Sequence, residues 1–206
     1  MDERERAMAR ELILARHGDV GPEYAGRYVG HTDLPLSERG RRQAAALAQV
    51  LRTARPQKCF TSPAARAVQT AEPAGLDPTV CDDLREIHFG RWEGKTFAEI
   101  CALDPGLVDR WAELHADFEF PGGERVGDFL ERTKKIALHM AACPADVVLA
   151  VTHGGVIRAI LCHLLGLDPR QCLLFQVDYA SLTKVVLFDG KGVLAGLNDT
   201  CHLGGL

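Results

Sequence analysis

The chain lacks most of the features that would set it apart from ordinary globular proteins. No apolar stretch in its 206 residues approaches the roughly 20 that a membrane-spanning helix needs, so no membrane partner is expected. The opening MDERERAMARE contains no apolar core of the kind a secretory signal carries, so residues 1–11 are read as a charged lead-in without fold information. Cys-x-x-Cys pairs are absent as well. The seven cysteines, Cys59, Cys81, Cys101, Cys143, Cys162, Cys172 and Cys201, are odd in number and scattered. That pattern fits reduced thiols in a cytoplasmic protein, not a disulfide frame or a metal finger. An excess of positive charge is missing too: 24 Lys and Arg against 28 Asp and Glu give a net charge of −4, so no nucleic-acid partner is expected. Any cationic site must therefore be local. With no linker, repeat or low-complexity segment, residues 12–206 are expected to form one domain.

The composition that remains, 47% hydrophobic and 25% charged, suits a chain that buries a substantial core. Leu12-Ile13-Leu14-Ala15 reads as a buried strand, and Asp146–Val151 as a second and clearer one. Between them, Ser37 caps an expected helix over Arg41–Leu51 with Leu36 and Leu47 toward the core. Lys58–Thr61 is a further strand, followed by a helix that starts at Ser62-Pro63 and stops before Pro73. Leu84–Gly94 has strand-and-turn character. Helices are expected over Phe97–Leu103, Leu107–Leu114, Glu124–Ala141 and from Gly155 to about Leu165. Three β-like runs close the chain, Leu173–Val177, Leu182–Phe188 and Val193–Leu197, with Asp189-Gly190 as a hairpin turn. Strands alternating with helices imply an α/β fold, a mostly parallel sheet covered on both faces. The C-terminal strand leaves pairing with a second copy open.

Two of these strands end in the same way, at Arg16-His17-Gly18 and at Thr152-His153-Gly154-Gly155. Ligands of open α/β sheets bind beyond the carboxyl ends of strands, so neighbouring strands would bring both imidazoles over one crevice. The helix N-terminus at Gly154-Gly155 would add N–H groups suited to an anion, and Arg16 a permanently charged fork suited to phosphate. Arg66 opens a helix that follows a third strand end. Glu86 places a carboxyl group among apolar and aromatic neighbours, which suits a general acid and equally a structural ion pair. A zinc site made of His17, His31 and His153 has no recognised ligand spacing, and neither metal nor cofactor is expected.

These segments together resemble the histidine phosphatase superfamily, also called the phosphoglycerate mutase-like family. The resemblance runs from about Leu12 to the end of the chain. It rests on Arg-His-Gly at 16–18, Gly-His-Thr-Asp-Leu-Pro-Leu-Ser-Glu-Arg-Gly at 30–40 and Ser-Pro-x-x-Arg-Ala-x-Gln-Thr-Ala at 62–71. Glu-x-x-Phe-Gly-x-Trp-Glu-Gly at 86–94, Pro-Gly-Gly-Glu at 121–124 and Thr-His-Gly-Gly at 152–155 follow in order. It implies a three-layer sandwich and hydrolysis of a small phosphate monoester without a metal. His17 would be the nucleophile that carries a phosphohistidine. Arg16, Arg66, His153 and Gly154 would hold the phosphoryl group, and Glu86 would be the general acid and base.

The match departs from the family pattern at Asp19 and Val20, where Glu and then Thr or Ser are usual, and at Glu23 and Val29, where the mutases carry Asn and Thr. Asp109–Glu113 offers Ala112-Glu113 where the mutases place an arginine pair for a carboxylate, which disfavours a mutase. Within the family the compact length, Gly26–Ser37 and Phe175–Asp178 look most like the α-ribazole phosphatases, which implies removal of a 5′-phosphate in cobalamin synthesis. A broad-specificity or sugar-phosphate phosphatase is the alternative, with a phosphate-binding module that has lost catalysis behind it. Trp111, Phe118 and Phe120 are expected mainly in the core, with stacking on a flat base as their second reading.

Overall fold

The computed structural model describes residues 10–113, 115–188 and 191–206. Six strands form one sheet: β1 (Arg10–Arg16), β2 (Lys58–Thr61), β3 (Thr79–Val80), β4 (Val147–Thr152), β5 (Leu182–Phe188) and β6 (Lys191–Asp199). Among the described residues six α-helices accompany it: α1 (Glu38–Ala54), α2 (Ala65–Ala71), α3 (Phe97–Leu103), α4 (Pro105–Ala112), α5 (Val126–Ala142) and α6 (Gly154–Leu165). The spatial order is β3-β2-β4-β1-β5-β6. Pairing is parallel from β3 to β1 and antiparallel from β1 through β5 to β6. The sheet is therefore mixed, a parallel half with a hairpin along one edge.

The period-2 alternation of strand side chains divides the core. Leu12, Leu14, Val148, Ala150 and Phe60 face one side, against Ile136 and Met140 of α5 and Ile157 and Ile160 of α6. Ile13, Ala15, Leu149, Val151 and Cys59 face the other, against Leu47 and Leu51 of α1 and Ala67 and Ala71 of α2. Helices on both faces give the three-layer sandwich.

Ser37 caps α1 as expected, its side chain accepting from Gly40 N, and Leu36 and Leu47 are buried. Other boundaries differ. Strand β1 begins at Arg10, so two residues of the expected lead-in belong to the sheet, and residues 1–9 lie outside the described residues, as do Leu114 and the expected turn at Asp189-Gly190. Helix α2 begins at Ala65, not at Ser62-Pro63: Ala64 before it is still extended, and Ala65 N donates to Asp33 Oδ1 at 2.8 Å. Leu173–Val177 forms no strand. Pro169–Leu174 is a 3₁₀ turn, set by Pro169 in its first turn and by the reciprocal capping of Asp168 and Gln171. Of the strand-and-turn character expected over Leu84–Gly94 only the turns form, as 3₁₀ turns at Asp82–Leu84 and Gly90–Trp92. Side chains satisfy that segment's backbone instead of a neighbouring strand: Glu124 accepts from His88 N, Glu93 from Phe89 N, and Arg132 donates to the carbonyls of Asp83, Arg85 and Glu86.

Candidate active site

Strands β1 and β4 are adjacent and parallel, with Arg16 opposite Thr152, so the next residue on each strand must stand beside the other. His17 N donates to Thr152 O at 2.9 Å, and the His17 and His153 rings lie 5.1 Å apart at 63°. Both imidazoles are buried at the carboxyl ends of the strands, where the sequence places them.

Hydrogen bonds settle which ring nitrogens are free. His17 Nδ1 lies 2.8 Å from Gly18 O, and since a carbonyl only accepts, Nδ1 carries the proton and Nε2 the lone pair. His153 Nε2 meets Ser62 Oγ at 2.8 Å, and its buried Nδ1 has no partner among the described residues. Burial, reinforced by the Arg16 and Arg66 charges, holds the His17 pKa well below the ordinary imidazole range, with the Gly18 contact opposing weakly. For His153 burial again dominates, followed by Arg66, His17 and Arg16, in the same direction.

Arg16 projects from the end of β1 and donates through Nη1 to Val177 O at 2.7 Å. Arg66, in the first turn of α2, is 1% exposed and donates to Gly30 O at 2.7 Å and Thr32 O at 2.8 Å. The Nε atoms of both arginines are buried without a hydrogen-bond partner among the described residues. With His153 Nδ1 they make three orphaned nitrogens about His17. A buried polar group left unpaired costs about 1–3 kcal/mol, so their grouping marks a place for an external acceptor.

Glu86, 8% exposed, follows the Asp82–Leu84 turn and is fixed at both oxygens: Oε1 accepts from Ile87 N at 3.0 Å and Oε2 from Gly155 N at 2.9 Å. One of the α6 N–H groups expected for a ligand is therefore engaged by a carboxylate. Gly154 lines the cavity beside Arg16, His17 and Glu86.

That cavity has a volume of about 310 Å³, at the lower end of the range for small-molecule sites. Beyond the charged floor its walls are mostly apolar, with Tyr28, Phe89, Trp111, Phe120 and Phe129 among them and Arg27 and Arg158 as the charged exceptions. Phe118 is core only, while Phe120 and Trp111 reach the cavity. Val20 and Val29 add apolar wall where a hydroxyl was missing from the expected pattern. Asp19 serves the scaffold, accepting from Ser37 Oγ and Gly21 N, and Glu23 is exposed. His31 stacks on His88 at 4.7 Å, and no group of three His, Cys, Asp or Glu placed to hold a metal occurs among the described residues.

Tyr179 was not foreseen. Its ring covers the Arg16 guanidinium at 3.9 Å and lies 5.5 Å from the His17 ring. The turn that carries it is tied to β1, Ala180 N donating to His17 O and Arg16 N to Ser181 O, both at 3.1 Å. Buried Ala180 takes a left-handed φ of 55° there, a conformation held by its surroundings. No local motif announces Tyr179. Ser62 and Thr70, which accepts from Gly18 N at 3.0 Å, lie inside the Ser-Pro motif but have no legible role until the chain closes.

Comparison with known proteins agrees with this geometry. Residues 12–200 match the model of the histidine phosphatase superfamily (branch 1). Phosphoserine phosphatase 1 of Hydrogenobacter thermophilus is 35% identical over 205 residues, 94% of each chain. Glucosyl-3-phosphoglycerate phosphatase of Mycobacterium tuberculosis is 37% identical over 172 residues, 77% of each. The crystal structure of the α-ribazole phosphatase from Shigella flexneri superimposes with a TM-score of 0.82 at 26% identity, covering 92% of this chain and 96% of that one. The chain belongs to the histidine phosphatase superfamily and is a phosphatase.

Proposed function

We propose that the chain hydrolyses phosphate monoesters through a phosphohistidine on His17, and that its substrate carries a bulky, flat and largely apolar leaving group, as α-ribazole 5′-phosphate of cobalamin synthesis does. The observation that carries the chemistry is the set of three orphaned nitrogens, Arg16 Nε, Arg66 Nε and His153 Nδ1, grouped about a histidine whose Nε2 is unprotonated. A phosphoryl group supplies acceptors for all three.

His17 Nε2 attacks phosphorus and the bond to the ester oxygen breaks, with Glu86 giving its proton to the leaving alkoxide. Water then attacks phosphorus as Glu86 takes one of its protons, the N–P bond breaks, and inorganic phosphate leaves. Arg16 and Arg66 stabilise the charge spread over the phosphoryl oxygens throughout. His153 donates from Nδ1, so in its neutral form the Ser62 hydroxyl donates to Nε2, and an arriving dianion favours the doubly protonated ring.

The aromatic cavity wall supports the flat leaving group. A second reading, a sugar-phosphate or broad-specificity phosphatase, is favoured by Arg158. It lines the cavity, donates through Nε to Phe175 O at 2.8 Å and makes no other hydrogen bond among the described residues. Its free fork suits hydroxyls or a carboxylate on the leaving group, the latter as in phosphoserine or glucosyl-3-phosphoglycerate. Phosphate release from these three esters in EDTA, with His17→Ala as blank, separates the readings. Preference for α-ribazole 5′-phosphate is expected, and preference for a carboxylate-bearing ester would replace it with the second reading.

A further inference from the structure

We infer that Glu93 is a positioning residue for Arg66: its carboxylate gathers the N–H groups of the Gly30–Thr32 loop so that the loop's carbonyls grip the guanidinium. Two motifs far apart in sequence, at 30–40 and 86–94, meet in this contact.

Glu93 is half-buried after the Gly90–Trp92 turn. Its Oε1 accepts from His31 N at 2.9 Å and Phe89 N at 3.1 Å. Its Oε2 accepts from Gly30 N at 3.0 Å, Thr32 N at 3.3 Å and Thr32 Oγ1 at 2.8 Å. These are charge-assisted bonds, and three consecutive N–H groups turned toward one carboxylate form an anion-binding concavity. Gly30 allows the close approach, since a Cβ there would run into Ile87 O.

The other side of the same loop holds Arg66, Gly30 O accepting from Nη2 and Thr32 O from Nη1. The peptide group between Gly30 and His31 is thus bonded at both ends, oxygen to Arg66 and N–H to Glu93. Its dipole lies between cation and anion, so each bond strengthens the other. Arg66 forms no direct salt bridge among the described residues. Burial pushes its pKa down, and the charges of Glu86, Asp33 and Glu93 oppose this. Asp33 and Gln69 separately tie the loop to α2, accepting from Ala65 N and donated to by Leu36 N, both at 2.8 Å. The loop therefore keeps its docking when Glu93 is changed, and what is lost is the aim of its carbonyls.

The proposal rests on reading Arg66 as a phosphoryl-binding group. Its test is a double-mutant cycle with Glu93→Gln, Arg66→Ala and the double variant, following kcat/KM for p-nitrophenyl phosphate and the Kd of orthovanadate. Glu93→Gln turns an NH₂ toward N–H donors. It is expected to lower kcat/KM by about 100-fold and to weaken vanadate binding, yet to add less than about twofold once Arg66 is already Ala. Glu93→Asp keeps the charge on a shorter stem. It is expected to lose less with the same dependence on Arg66, and it serves if the Gln variant does not fold. Losses that multiply in the double variant overturn the positioning role. Undiminished turnover and vanadate affinity in Arg66→Ala alone overturn the reading of Arg66 itself.

Discussion

Gly155→Ala perturbs the site by a single methyl group. Gly155 lies in the first turn of α6 with an ordinary backbone, so alanine suits its conformation and strengthens the helix by up to about 1 kcal/mol. The added Cβ, however, would run into Glu86 Oε1 and stand 3.1 Å from Cδ and 3.2 Å from Oε2. To regain van der Waals separation the carboxyl group must retreat by about 1 Å, breaking its bond to Gly155 N. A misplacement of that size lowers the rate of a step that depends on the group by about 100-fold. The first step depends on Glu86 only where the leaving oxygen needs a proton. Because kcat/KM reports steps up to the first irreversible one, the loss should fall on an alkyl phosphate and be far smaller for p-nitrophenyl phosphate. Unfolding in urea should show stability within about 1 kcal/mol of the parent protein. Equal losses on both esters, or none on either, would refute the assignment of Glu86 as the acid.

Three further outcomes are expected. Ser62→Ala leaves His153 Nε2 buried and unpaired, so it should destabilise the fold by about 1–3 kcal/mol in urea and weaken inorganic phosphate binding in calorimetry; unchanged phosphate affinity contradicts the role given to the Ser62–His153 contact. The depressed pKa values of His17 and His153 make stability fall with acid. Below about pH 6.5 the unfolded chain takes up protons that these buried rings refuse, with a slope of up to about 1.4 kcal/mol per pH unit for each ring. The slope of unfolding free energy against pH should therefore be shallower in His17→Ala on the acid side, and an unaltered slope contradicts the burial argument. Tyr179→Phe should keep its hold on Arg16, whereas Tyr179→Ala, losing a cation–π contact of about 0.5–2 kcal/mol, should lower kcat/KM roughly 2- to 30-fold; parity between the two variants would show that the ring does not position Arg16.

The sheet, and the nearness of the candidate residues Arg16, His17 and His153 at its carboxyl edge, were legible because their signals are local or nearly so. Apolar runs that stop at Arg16-His17-Gly18 and Thr152-His153-Gly154 mark strand ends, and parallel pairing of β1 with β4 makes the two histidines neighbours. Elements held by side chains were not legible. The segment around Glu86 looks partly like a strand because Leu84, Ile87 and Trp92 are apolar, but its backbone is satisfied by Glu93 at the end of its own motif, by Glu124 of the 121–124 motif and by Arg132, which lies in no motif. Leu173 and Leu174 suggested a strand and are instead exposed at the end of a 3₁₀ turn. Tyr179 reaches the site only because the turn before β5 folds back on β1, a closure that no sequence period encodes.

Phosphate is expected to leave the ester through His17. Rapid mixing with p-nitrophenyl phosphate, an alkaline quench and intact-mass analysis tests it most directly, since phosphohistidine survives base and is lost in acid. One phosphoryl group per chain is expected, confined to the peptide containing His17, discharged on warming in acid and absent from His17→Ala, which should neither accumulate the adduct nor turn over. Turnover that persists in His17→Ala, or proceeds in the parent protein with no adduct at any quench time while a burst of alcohol is released, would contradict it.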